Sequence, residues 1–175
     1  MKLELYFPVN PFKITQFYGQ NDACVDKGTK KIYGKIGGHC PVGTIEFYPS
    51  VGMKGHNGLD LRAAHGQPIY AAQDGIVTDI ETEPERGLGV ALVTPEPFET
   101  SCGEYQIRHR YWHLKAFSVK IGDRLFVGDK IGLADNTGRS AGDHLHFEVK
   151  PVRRIPDGRY INVLQDNGYY GAIDP

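Results

Sequence analysis

The longest uninterrupted alternation in the chain runs through residues 104–114, and it restricts what the chain can become. Tyr105, Ile107, His109, Tyr111 and His113 recur at every second position. Period two lays such residues on one face of a strand, whereas a helix would scatter them around its axis. A strand of that length needs partners along both edges. Segments 67–72, 75–80, 89–94, 117–121, 124–127, 130–133 and 143–149 read as further strands, with 2–7 and 14–19 ahead of them. Gln73-Asp74-Gly75 reads as a hairpin turn joining two of them. Gly122-Asp123 and Gly128-Asp129 separate the short later pieces. The chain has 22 glycines and 11 prolines, which suits many turns and leaves little room for long helices. A short helix is expected only near 161–165. The predicted class is all-β, built from antiparallel sheets.

With 175 residues the chain reads as one domain spanning 1–175, with a core at about 12–151 and a tail at 152–175. Residues 20–55 are polar, glycine-rich and aperiodic, and read as a long loop that borders a site rather than filling the core. The net charge of −1 offers no electrostatic footprint for nucleic acid. No apolar run approaches 18 residues, so no membrane insertion is expected. Cys24, Cys40 and Cys102 form no CxxC and read as three unpaired thiols, a Cys24–Cys40 disulfide being the alternative. Arg108, Arg110, Arg153 and Arg154 read as solvated surface.

The chemistry-bearing residues begin in Asp143-His144-Leu145-His146-Phe147-Glu148-Val149. Two histidines at i and i+2 of a strand point the same way, with Cα atoms roughly 6.5–7 Å apart. That suits one histidine as a metal ligand and the other beside the reacting water. His56 and Asp60 are separated by Asn57-Gly58-Leu59. An extended strand would hold them roughly 13 Å apart, but a turn at Asn57-Gly58 can bring them together. His113 closes the long strand, on the face expected to carry Tyr111.

These pieces resemble, in order, the motifs of the lysostaphin-type (LytM-like) zinc peptidoglycan endopeptidases. They are HxxxD at His56–Asp60, YxHL at Tyr111-Trp112-His113-Leu114, the glycine-rich run from Val127 to Ser140, and HxH at His144-Leu145-His146. The resemblance covers most of the chain, from about Phe12 to Pro151. It implies antiparallel sheets forming an open groove, with one zinc ion per chain held by His56, Asp60 and His146. His113 and His144 become the catalytic histidines, and Tyr111, Asn136, Thr137, Gly138 and Ser140 the substrate-lining residues. The implied partners are stem or crossbridge peptides of peptidoglycan, cleaved by a monomer. Met1–Pro8 shows no signal-peptide pattern. The expectation is therefore synthesis in the cytoplasm and action on the cell wall, with delivery by a phage.

Three other readings are weaker. A D-alanyl-D-alanine carboxypeptidase-type zinc site needs an H-x6-D pair, and the position that would carry the Asp holds Ala63. A biotinyl or lipoyl carrier would need a modified lysine between the short strands, and Lys54 lies well before them. A non-catalytic peptidoglycan-binding module with the same fold would not need all five site residues.

Overall fold

The computed structural model of the chain describes residues 4–100, 103–165 and 167–175. In chain order it has strands β1 (Ile14–Gln16), β2 (Ala23–Asp26), β3 (Ile32–Gly34) and β4 (Thr44–Glu46), and a one-turn helix α1 (Phe47–Ser50). There follow β5 (Leu59–Arg62), β6 (Pro68–Tyr70), β7 (Gly75–Glu83), β8 (Gly87–Val93), β9 (Phe98–Thr100), β10 (Gly103–Phe117), β11 (Arg124–Leu125), β12 (Lys130–Ala134), β13 (His144–Arg154) and β14 (Tyr160–Asn162). Among the described residues, eleven strands form one sheet around the path β1-β5-β13-β10-β8-β7-β11, and β3-β2-β4 form a second. The pairings are antiparallel throughout the spine, as expected.

The spine is the pair β10–β13, in register from Gln106 opposite Val152 to Trp112 opposite His146. Alternation sorts its two faces. Leu145, Phe147 and Val149 of β13 face Ile107 and Tyr111 of β10 in a core that also takes Leu61, Leu92 and Ile131. The other face carries His144, His146, Glu148 and Lys150 of β13, with Trp112, Arg110 and Arg108 as register partners of the last three. Arg108 is thus buried rather than solvated, and the Arg110 guanidinium is 3.0 Å from Glu81 on β7. Arg153 and Arg154 are exposed.

Other expectations need correction. Residues 20–55 are not one loop: they fold into β2, β3, β4 and α1, with Cys24 bonded to Cys40. The two Cα atoms are 5.7 Å apart, within disulfide reach. Strands of three or four residues are too short to show a period, which is why this sheet left no alternation to read. Segments 67–72 and 75–80 do not pair as a hairpin. β6 pairs with β12, β7 with β8 and β11, and Asp74 instead accepts the Val127 N–H through Oδ1 at 2.8 Å. The hairpin turn lies further on, where Glu83 faces Gly87. Residues 161–165 form no helix: Tyr160–Asn162 joins β13 as an edge strand. Residues 4–7 carry no strand, and residues 2, 3 and Cys102 fall outside the described residues.

Candidate functional site

A cleft of about 590 Å³ opens over the His144–His146 end of β13. Two bends in the backbone aim the key side chains into it. The first is Asn57-Gly58. A Cβ at Gly58 would stand 2.4 Å from the Phe147 carbonyl oxygen, so only glycine lets this turn lie against β13. The turn folds His56 back over Asp60 of β5, and Asp60 is itself paired with His146 across the sheet. The expected contact is present, with His56 Nε2 3.0 Å from Asp60 Oδ1.

The second bend is at His113, whose φ of 62° is left-handed. Strict alternation would turn His113 into the core with Tyr111. Instead, the pairing of β10 with β8 shifts register between Tyr111 and Leu114, and from Leu114 onward β10 pairs with β12. This bulge swings the His113 ring out of the core face, to 4.6 Å from the His144 ring centroid. The expectation that Tyr111 and His113 share a face is therefore wrong. Bulges commonly re-aim side chains in this way beside sites.

The donor atoms of the HxxxD and HxH motifs converge. His56 Nε2 and His146 Nδ1 are 2.9 Å apart, and Asp60 Oδ1 is 3.0 Å from the first and 2.9 Å from the second. Their outer partners orient the rings. His56 Nδ1 lies 3.2 Å from the Phe17 carbonyl, which can only accept, so Nδ1 carries the proton and Nε2 presents its lone pair. His146 Nε2 lies 3.3 Å from the Glu148 carboxylate, which turns Nδ1 toward Asp60. Three electron-rich atoms facing one point demand a positive charge there. A proton or a metal ion can supply it. Burial disfavours a charged ring at His146, yet hydrogen bonds to Asp60 and Glu148 outweigh it and raise the pKa to about 9. Burial likewise opposes the charge on Asp60, but hydrogen bonds from His144 and His146 hold the carboxyl well below its usual range. Two imidazoles and a carboxylate are also the donor set of a hydrolytic zinc site. On a tetrahedron with bonds of about 2.0–2.1 Å such atoms stand about 3.3 Å apart. The residues present therefore fit the ion.

His113 and His144 stand beside this trio with matched tautomers. His113 Nδ1 donates to the Thr137 carbonyl at 2.7 Å, and His144 Nδ1 to the Gly142 carbonyl at 2.8 Å. Each leaves Nε2 for the cleft, that of His144 lying 3.4 Å from Asp60 Oδ1. Burial, then the charges of His144 and His146, push His113 down to about 4, so its ring is neutral. At His144 burial acts the same way, but the hydrogen bond and charge of Asp60 raise the pKa above its ordinary value.

Of the expected lining residues, Ser140 borders the cleft, its Oγ 3.2 Å from His144 Nδ1. The others are displaced. Tyr111 is fully buried, and its hydroxyl accepts the Ala72 N–H. Thr137 works from behind: besides holding His113, its Oγ1 donates to the Leu114 carbonyl and accepts the Leu88 N–H. Gly138 packs on the hairpin turn, where a Cβ would meet the Gly87 nitrogen at 2.3 Å. Asn136 is exposed and outside the cleft lining.

Sequence reading missed the support beneath His146. Glu148 is fully buried, accepts Asn57 Nδ2 at Oε1 over 2.7 Å, and has Lys150 Nζ 2.8 Å from Oε2. The signal was there: Glu148 and Lys150 continue the i, i+2 series of His144 and His146. A second trio, His65, Asp135 and Asp143, is more exposed and already has Lys115 Nζ 2.9 Å from His65 Nε2.

Comparison with known proteins agrees with this geometry. Residues 54–163, which contain His56, Asp60, His113, His144 and His146, match Peptidase family M23. The chain is 35% identical over 112 residues to the peptidoglycan DD-endopeptidase ShyA of Vibrio cholerae, covering 64% of this chain and 23% of that protein. It is 35% identical over 106 residues to the glycyl-glycine endopeptidase ALE-1 of Staphylococcus capitis, covering 58% of this chain and 26% of that one. It thus spans about a quarter of the length of these relatives. Its fold is that of the catalytic domain of lysostaphin from Staphylococcus simulans, with a TM-score of 0.59 at 23% identity over 95% of this chain and 90% of that one. The profile match covers more than half of the residues and brackets the whole constellation, so the chain belongs to peptidase family M23.

Proposed function

We propose that the chain is a zinc-dependent endopeptidase that hydrolyses peptide crosslinks of bacterial peptidoglycan. The observation that carries this reading is the convergence of His56 Nε2, Asp60 Oδ1 and His146 Nδ1 within 3.0 Å of one another, beside two imidazoles that turn Nε2 into an open cleft. Those three atoms would hold one zinc ion. Zinc bound there acidifies water, from a pKa of 15.7 towards about 7, and polarises a carbonyl.

The remaining steps belong to side chains. His113 is neutral, and its Nδ1 proton is committed to Thr137, so Nε2 is the atom suited to take a proton from the attacking water. His144, fixed by Gly142 and backed by the Asp60 carboxylate, is suited to donate from Nε2 to the oxygen on which negative charge develops. Both rings are held by backbone carbonyls and need little reorganisation as the reaction proceeds. The substrate is a stem or crossbridge peptide, the working unit is a monomer, and the site of action is the cell wall, reached by phage delivery. The names of the relatives support the peptidoglycan assignment.

The test is digestion of purified peptidoglycans of defined crosslink type, with mass analysis of the fragments. Hydrolysis that stops with chelator and returns with zinc is expected. His144→Ala and His113→Ala should keep stoichiometric zinc and lose hydrolysis, and His146→Ala or Asp60→Ala should lose the zinc. Near-normal wall cleavage by His144→Ala would refute the assignment.

A further inference from the structure

Two arginines stand in the cleft without a part in the chemistry above. Arg139 lies in the loop between β12 and β13 that orients both imidazoles. Two residues before it Thr137 holds His113, and the next residue, Ser140, touches His144. Its Nη2 lies 2.7 Å from Glu85 Oε1, and its guanidinium sits 5.7 Å from the Phe47 ring centroid, on α1. Arg86, in the β7–β8 turn, lies 3.0 Å from Glu83 Oε2 and over the rings of Trp112 and Tyr170. The Arg139 N–H donates to the Glu85 carbonyl at 2.7 Å, so backbone fixes the two arginines as neighbours.

Each guanidinium is more covered than its nearest carboxylate partner, and Arg86 Nε also lies 3.9 Å from the buried Glu148. The side chains of Arg139 and Arg86 are 22% and 27% exposed, those of Glu85 and Glu83 59% and 38%. A pair to a solvated carboxylate is weak, and a guanidinium has five N–H donors in one plane. Glu85 occupies one nitrogen of Arg139, which leaves the fork able to take a second carboxylate arriving in the cleft. Because the same loop orients His113 and His144, a carboxylate held there belongs to a residue at the cleaved bond rather than to a distant one.

The two crosslink chemistries differ at that place. A glycine bridge has no charge beside its amides. In a crosslink from D-alanine to a diamino acid whose second carboxyl is free, that carboxylate sits on the carbon bearing the amide nitrogen. Resting on the peptidoglycan reading above, we propose that Arg139, with Arg86 beside it, binds this free carboxylate and so selects D-alanyl–diamino-acid crosslinks over glycine bridges. Amidation of the carboxylate removes the charge and the preference with it.

The experiment uses the zinc-loaded chain and three synthetic substrates: a D-alanyl–diamino-acid crosslinked peptide with the carboxylate free, the same peptide with that group amidated, and pentaglycine. The ratio of kcat/KM for the free over the amidated form is expected to be roughly ten- to a hundredfold, the range for a charge-assisted hydrogen bond. Arg139→Gln should bring that ratio towards one, and Arg139→Lys should keep part of it. A ratio is read rather than a rate, so a general loss of activity does not imitate the effect, and an unchanged melting temperature confirms folding. Should Arg139→Gln fail to fold, the wild-type ratio and Arg139→Lys still decide. The proposal is overturned by a wild-type ratio near one, by an unchanged ratio in Arg139→Gln, or by pentaglycine cleaved as fast as the free-carboxylate peptide. Failure to cleave any of the three overturns the endopeptidase reading itself, a different outcome from cleavage without discrimination.

Discussion

At His113 the backbone works against its own side chain. Its φ of 62° lies in the left-handed region, where an L-residue carries a penalty of roughly 1–2 kcal/mol that glycine escapes. Comparing His113→Gly with His113→Ala isolates that penalty. Both lose the imidazole, its burial and its hydrogen bond to Thr137. They differ in the Cβ alone. At an ordinary strand position glycine is the worse of the two by about 0.5–1 kcal/mol, through the entropy of the unfolded chain. At residue 113 relief of the left-handed strain should reverse the order and leave His113→Gly ahead of His113→Ala by about 0.5–1 kcal/mol. In a chain of this size that is a difference of about 1–4 °C in Tm. Urea titrations of both metal-free variants, analysed with a common m value, measure it. The same exchange at Arg110, in the regular part of β10, supplies the reference, and there alanine should win. If His113→Gly proves less stable than His113→Ala, the bend at residue 113 is unstrained, and the explanation of how the ring leaves the core fails.

Other perturbations test separate parts of the structure. His109 is fully buried, has no hydrogen-bond partner for either ring nitrogen among the described residues, and is pushed by burial from 6.5 to about 4. Between those values the unfolded chain binds the proton and the folded one does not. Stability is therefore complete above pH 6.5 and falls as pH drops towards 4, by about 3 kcal/mol from this group. His109→Phe, which keeps the stacking on Phe147, should close the stability gap to wild type by that amount between pH 7 and 4, and parallel unfolding curves would refute it. His146, raised to about 9 in the metal-free chain, must lose a proton to become a ligand, so zinc binding at pH 7.5 should release about one proton. Calorimetry in buffers of different ionisation enthalpy reads this directly. Lys150→Met leaves Glu148 Oε2 without its cation while Asn57 and His146 remain at Oε1, and should cost about 1–3 kcal/mol, the desolvation penalty of one unpaired buried oxygen, read by urea unfolding against wild type. Opening the Cys24–Cys40 link by Cys24→Ala with Cys40→Ala, across a separation of 16 residues, removes a constraint of about 3 kcal/mol. Faster amide exchange should then be confined to β2–β4 while β10 and β13 stay protected.

What the sequence disclosed depended on how a residue's position is specified. The faces of β13 could be read because period two is enforced by burial: Leu145, Phe147 and Val149 fill the core, so His144 and His146 have only the other side to occupy. That logic extends unaided to Glu148 and Lys150, and with it to the carboxylate that fixes the tautomer of His146. It fails at His113, where one left-handed residue reverses the parity. A histidine there gives no local sign of positive φ, as a glycine or asparagine would. Only the resemblance to a family placed its ring in the site. Thr137 and Gly138 show a different limit. Their spacing marked a loop, but their roles arise from contact with Leu88, Leu114 and the turn at Gly87, all distant in sequence. The small sheet β2–β4 is the extreme case. Its strand β2 is tied to the β3–β4 connection by a covalent link between Cys24 and Cys40, which no periodicity announces, and yet Ala23, Ile32, Phe47 and Tyr48 from this region supply one side of the cleft. The part of the cleft floor that β13 supplies follows from alternation in a long strand and was therefore legible. The cleft wall is built from short strands, a disulfide and loops, so variation there can reshape the cleft while the histidines below stay fixed.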